Sequence, residues 1–192
     1  MKLLILGNSI THHTPAPQIG WFGDWGMAAS CADNDYVHRL CARLTENGID
    51  VTLRERNVAT FERGTAGALD DYFAEDFAFS PDAVVLRICE NTPAEHLPAF
   101  AKDYASVIAR FRQNPDCRVY AVGPFWKNDT AEALLKSAAL ENGAVFVSLS
   151  PLHGQEQYMA HGQYEHAGVA AHPSDAGMQA IADMVFSAMK ET

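Results

Sequence analysis

Five short runs of apolar, β-branched-rich residues, at 3–6, 51–53, 83–88, 118–122 and 144–147, recur along the chain with longer amphipathic segments between them. Runs that are apolar at nearly every position suit strands buried on both faces, the condition inside a parallel sheet. The segments 35–47, 67–79, 98–113, 130–142 and 174–189 read as helices. Gly48, Pro81, Pro115 and Gly143 supply stops for the first four, and Ser174 is the expected N-cap of the last. Strands alternating with helices in this order imply an α/β chain with a three-layer α/β/α, flavodoxin-like fold and a five-stranded parallel sheet joined by right-handed crossovers. With 192 residues, 48% of them hydrophobic, the chain has enough material for one full core, so residues 1–192 are expected to form a single domain.

In open sheets of this kind ligands sit beyond the carboxyl ends of the strands, which makes the residues after each strand the candidates for chemistry. Two stretches, 12–34 and 152–171, break the regular alternation and emerge near that face. Loops of such length in a compact domain are usually functional. The first holds Trp21, Phe22 and Trp25, and the second is rich in Gly, Gln, Tyr and His.

Ser9 follows the first run in Gly7-Asn8-Ser9-Ile10, and His172 precedes the last helix in Ala171-His172-Pro173-Ser174. A serine hydroxyl becomes a nucleophile when a base takes its proton, and histidine is the usual base. Each residue alone is equally at home as a turn or surface residue. Their joint placement, one after the first strand and one before the last helix, brings them to the same end of the sheet. Asn91 follows the third run and offers an amide N–H to the oxyanion that forms when a carbonyl is attacked. The turn from Asn57 to Gly64 is a second source of N–H donors.

These four segments resemble the motifs of the SGNH (GDSL-type) hydrolases, in the same order on the same expected fold. The family's Gly-Asp-Ser block looks like Gly7-Asn8-Ser9, with Asn in place of Asp. Its second block, Asn with a later Gly, falls on Asn57 and Glu62, and its third, Gly-x-Asn-Asp, on Cys89-Glu90-Asn91-Thr92. Its final Asp-x-x-His-Pro matches His172-Pro173 but has Val169 where the acid stands. The resemblance implies a serine esterase with Ser9 as nucleophile, His172 as base, and an oxyanion hole from the N–H groups of Ser9 and Glu62 and the Asn91 side chain. It also implies that a backbone carbonyl orients His172, as in the family's Ser-His dyads, with Glu165 or Asp175 as substitutes.

Short acyl groups are expected, since no long apolar stretch offers a lipid tunnel. Trp21 and Trp25 suggest stacking on a sugar ring and Glu90 an adjoining polar contact, which points to O-acetyl groups on a carbohydrate or small polyol. No cofactor or metal is expected. The net charge is −10, with no Lys/Arg cluster to neutralise phosphates, so nucleic acid is not an expected partner. No apolar run approaches the ~20 residues that span a bilayer. The first run passes into Gly7-Asn8-Ser9 with no cleavage site and the four cysteines show no CxxC spacing, so reduced thiols and the cytoplasm are expected. Homo-oligomerisation stays open. Two other readings remain: a catalytically silent sugar-binding scaffold, and a metal-dependent phosphoesterase using His12, His13, Asp24, His153, His161 and His166. The second has no HxH or HExxH spacing to support it.

Overall fold

The structure, a computed structural model, describes residues 1–191. Five parallel strands, β1 (Lys2–Gly7), β2 (Thr52–Asn57), β3 (Ala83–Arg87), β4 (Arg118–Val122) and β5 (Val145–Val147), form one sheet in the order β2-β1-β3-β4-β5. The helices are α1 (Tyr36–Glu46), α2 (Ala59–Glu62), α3 (Leu69–Tyr72), α4 (Ala74–Ala78), α5 (Leu97–Phe111), α6 (Asp129–Glu141), α7 (Ala167–Ala170) and α8 (Asp175–Lys190). This is the flavodoxin-like three-layer architecture that the alternating pattern predicts.

The chain steps outward from β1 to β2 and then in the opposite direction through β3, β4 and β5. Right-handed crossovers therefore place the connecting helices on opposite faces. Alternate residues of β1 serve the two faces: Leu3 and Ile5 pack with α1 and α8, Leu4 and Leu6 with α5 and α6. All four are fully buried, which is why the strand is apolar at every one of these positions. The direction reverses between β1 and β3, so a crevice opens where their carboxyl ends separate their connections. Gly7 pairs with Asn57 on one side and Arg87 on the other, so the three strand ends lie level there.

Two sequence expectations need correction. The second strand is Thr52–Asn57 rather than 51–53. As an edge strand it needs no apolar run, and its charges are matched locally: Arg54 and Arg56 pair with Asp76, and Glu55 with His12. The expected helix 67–79 is two short helices, α3 and α4, broken at Phe73, whose φ of −102° and ψ of 11° leave the helical region. The break turns the fully buried Phe73 ring between Phe61 and Phe77.

Elsewhere the boundaries follow local chemistry. Asp35, Asn128 and Ser174 cap α1, α6 and α8 by accepting main-chain N–H groups, and Pro98 sits in the first turn of α5, where its missing N–H costs nothing. The two irregular stretches pack on each other in a separate small cluster formed by Ala16, Trp21, Met27, Ala28, Ala160 and Val169. All four cysteines are free. Among the described residues, no helix is long and apolar enough to cross a membrane.

Candidate active site

Ser9 Oγ lies 2.8 Å from His172 Nε2, across 163 residues of sequence. After β1 the chain turns sharply, with Thr11 and His12 N–H both donating to Asn8 O, and the Ser9 carbonyl is held by Met27 N–H at 2.8 Å. Gly7 is required at the foot of this turn, since a Cβ there would meet Thr11 Oγ1 at 1.7 Å. The N–H of Ser9 has no acceptor among the described residues.

His172 is fixed from several sides. Its N–H donates to Val169 O and its carbonyl accepts from Ala160 N–H, while Trp126 meets the ring edge-on at 5.4 Å and donates its indole N–H to Ala171 O. Nδ1 lies 2.7 Å from Gly168 O, which can only accept, so Nδ1 carries the proton and Nε2 presents a lone pair to Ser9. Burial pushes the imidazole pKa down from 6.5 to about 4, against the opposing Gly168 hydrogen bond. The carbonyl is thus the second partner of the ring. Val169 is fully buried in the small cluster, Glu165 is exposed, and Asp175 is taken up by Ser30 and Asn34.

Beneath Ser9 lies a buried polar network. Asn8 donates through Nδ2 to Glu62 Oε1 at 3.0 Å and Glu90 Oε2 at 2.7 Å, while its Oδ1 accepts from Arg87 at 2.6 Å. Arg87 also pairs with Glu90 at 2.8 Å. Glu62 accepts in addition from Cys89 N–H and Asn91 Nδ2, both at 2.5 Å. Burial, and then the charge of Glu90, push the Glu62 carboxyl above its ordinary range.

This network corrects two sequence assignments. The N–H of Glu62 is spent on Val58 O at 3.3 Å within α2, so it is not free as an oxyanion donor. The Glu62 side chain, only 2% exposed, instead holds Asn91 in place. Thr60, whose N–H lacks an acceptor in that first turn, reaches the pocket instead. Glu90, its side chain 6% exposed, is occupied by Arg87, Asn8 and Phe125 N–H and is not a substrate contact.

The aromatic assignments also change. Trp21 is 2% exposed, packs edge-on against Trp25 at 5.8 Å and donates to His13 O. Trp25 is half-buried and donates to Ala29 O. Neither lines a cavity beside Ser9, because packing of the two irregular stretches consumes their faces. Phe22, 73% exposed, is the available ring.

The pocket over Ser9 has a volume of about 390 Å³ and is walled by His13, Met27, Thr60, Arg63, Asn91 and His166, together with Ser9 and His172. A neighbouring cavity of about 550 Å³, lined by Phe22, Tyr164 and Glu165, shares Ile19 and His166 with it. Sequence reasoning missed Arg63, Arg87 and Trp126. Arg87 left a signal, since it is the charged residue inside an otherwise apolar strand. Of the histidines in the metal reading, His12 bonds Asp24 and Glu55, His153 the Pro124 carbonyl and His161 Glu156, while His13 and His166 line the Ser9 pocket. Among the described residues no three His, Cys, Asp or Glu side chains are grouped to hold a metal ion.

The model of the GDSL-like lipase/acylhydrolase family matches residues 5–180. The chain belongs to this family. As a GDSL-like acylhydrolase it is a carboxylic ester hydrolase, and the match runs from β1 into α8, spanning both halves of the Ser9–His172 pair. Comparison with curated protein sequences gives no match. Among solved structures this GDSL-like chain is similar to TesA, with a TM-score of 0.69 and 17% identity over 100% of this chain and 99% of that one. A family 3 carbohydrate esterase from Clostridium thermocellum gives a TM-score of 0.68 and 15% identity over 99% and 95% of the two chains. The acetyl xylan esterase AlAXEase gives 0.62 and 19% over 98% and 99%. At these identities the likeness speaks to the fold.

Proposed function

We propose that the protein removes short acyl groups, O-acetyl in the first place, from a carbohydrate or small polyol, using Ser9 and His172. The observation that carries this reading is the line of hydrogen bonds from Ser9 Oγ through the His172 ring to Gly168 O. His172 Nε2 takes the hydroxyl proton as Ser9 Oγ attacks the ester carbonyl, and the imidazolium keeps its Nδ1–H on the Gly168 carbonyl. The oxyanion meets the unspent N–H of Ser9 and the amide of Asn91. His172 then gives its proton to the departing alcohol, and water repeats the sequence on the acyl-enzyme. No step calls for a cofactor.

The carbohydrate part of the reading has separate support. Two of the similar structures are described as an acetyl xylan esterase and a carbohydrate esterase, and another as active on acetylated mannans. Phe22 offers an open ring face in the cavity that adjoins the Ser9 pocket. A sugar ring carrying the ester has room there.

The test is hydrolysis of p-nitrophenyl acetate by the wild type and by Ser9→Ala and His172→Ala, with folding verified by circular dichroism. Each substitution is expected to lower kcat by about a thousandfold or more, as loss of a nucleophile or its base does in serine hydrolases. Wild-type rates in Ser9→Ala would overturn the assignment.

A further inference from the structure

We propose that Arg63 makes this pocket selective for esters that carry a carboxylate group, a reading that rests on the esterase function above and names its substrate class further. The chain has 24 Asp and Glu against 14 Lys and Arg. Yet the wall around Ser9 carries Arg63 and three histidines, His13, His166 and His172, and no aspartate or glutamate. His172 is neutral as the base, so the fixed positive charge on that wall is Arg63, with no carboxylate in the lining to offset it where the substrate enters.

Arg63 is held for this role without being used up. It ends α2, where its N–H donates to Ala59 O, and Gly64 follows at φ 71° and turns the chain away. Its one side-chain hydrogen bond is to the neutral amide oxygen of Asn91, at 3.2 Å. Arg43, Arg54, Arg56, Arg87 and Arg110 have carboxylate partners; Arg63, like Arg39, Arg112 and Arg118, has none among the described residues, and of these four it is the one that lines the Ser9 pocket. The rest of its guanidinium fork, a geometry matched to a carboxylate, is free at the pocket wall. Glu62 and Glu90, the acids of the network beneath Ser9, are engaged by Asn8, Asn91 and Arg87.

A carboxylate reaches Arg63 from either half of an ester: from the alcohol, as in an acetylated uronic acid, or from the acyl group, as in a dicarboxylic half-ester. Two matched pairs separate these sources. 3-Acetoxybenzoate against its methyl ester places the charge on the alcohol side, and mono-4-nitrophenyl adipate against 4-nitrophenyl hexanoate places it on the acyl side. In the wild type the anionic member of one pair is expected to have a kcat/KM about tenfold or more above its neutral mate, the range of a charge-assisted hydrogen bond. Arg63→Gln brings that ratio close to one, Arg63→Lys keeps part of it, and added salt compresses it. The ratio cancels any loss common to both members. Equal rates within both pairs, or a ratio untouched by Arg63→Gln, overturn the proposal.

If no ester is turned over at all, the esterase reading fails, and the charge preference is read from binding. Calorimetric titration with 3-acetoxybenzoate and 3-acetoxybenzamide then shows either a preference for the anion that Arg63→Gln removes, which sustains the proposal, or no such preference, which ends it.

Discussion

His172 donates its Nδ1–H to the main-chain oxygen of Gly168, 2.7 Å away in the short helix α7 just before it. A carbonyl fixes the tautomer and the ring plane as a carboxylate does, but it brings no full negative charge to stabilise the imidazolium. The ring is desolvated as well. Both features favour neutral histidine, the form that accepts a proton from Ser9.

The pH profile follows with a definite sign. The His172 pKa is lowered to about 4, so the base stays unprotonated well below the range of an ordinary histidine. For a neutral ester, kcat/KM is expected to stay level from neutral pH down to about 5 and to fall with a midpoint near the lowered pKa. The linked effect on stability has its own window. The unfolded chain takes up the proton first, so stability is lost as pH falls from 6.5 toward about 4 and this contribution levels off below. A rate profile with its acid limb near 6.5 would show that the ring is not desolvated as described.

Restoring an acid where the family motif has one is expected to do harm. Val169 is fully buried against Trp21 and its neighbours. Val169→Asp introduces a carboxylate there without a partner, a cost of about 2 kcal/mol or more. Urea denaturation measures the loss, and kcat is expected not to rise. A faster, equally stable variant would mean that α7 readily rearranges to use the acid.

Asn8 presents the same question at the other motif. Its amide nitrogen is the donor between Glu62 and Glu90. Asn8→Asp replaces that donor with an acceptor and sets a third carboxyl group between those of Glu62 and Glu90. Loss of about 2–4 kcal/mol is expected, from two broken charge-assisted bonds and like-charge repulsion. The loss should shrink at acidic pH as the added carboxyl is protonated, which equilibrium unfolding at two pH values will show.

Glu62→Gln tests the support behind Asn91. Glutamine has a single side-chain oxygen where Glu62 uses two to meet Asn8, Cys89 N–H and the Asn91 amide. Asn91 is expected to lose its anchor, and kcat to fall by at least about tenfold, toward the roughly 10²–10³ that removal of an oxyanion donor costs. The KM for a small neutral ester is expected to change less. An unchanged kcat would separate Glu62 from the positioning of Asn91.

The parallel sheet was legible because β1, β3 and β4 are buried on both faces, and that condition writes itself into consecutive residues such as Leu3 to Leu6. β2 was harder to delimit because an edge strand tolerates Arg54-Glu55-Arg56 once each charge has a local partner. The meeting of Ser9 and His172 followed from topology, since both flank elements at the same end of the sheet. Which atom of Glu62 faces the site did not follow, because it depends on whether the turn after β2 closes into a helix and spends the N–H. Trp21 was misplaced for a related reason: its burial comes from loop packing on loop, which leaves no periodic trace.

The charged outer strand has one more consequence. A parallel sheet has two open margins, and each is a template on which a strand from another molecule can pair. Here one margin is β2, whose neighbouring arginines and glutamate would have to be stripped of water and of their partners before a second backbone approached. The other is β5, only three residues long. Both ends of the sheet are therefore poor seeds for intermolecular β-pairing, and any self-association of this hydrolase is expected to run through helices or loops rather than by extending the sheet.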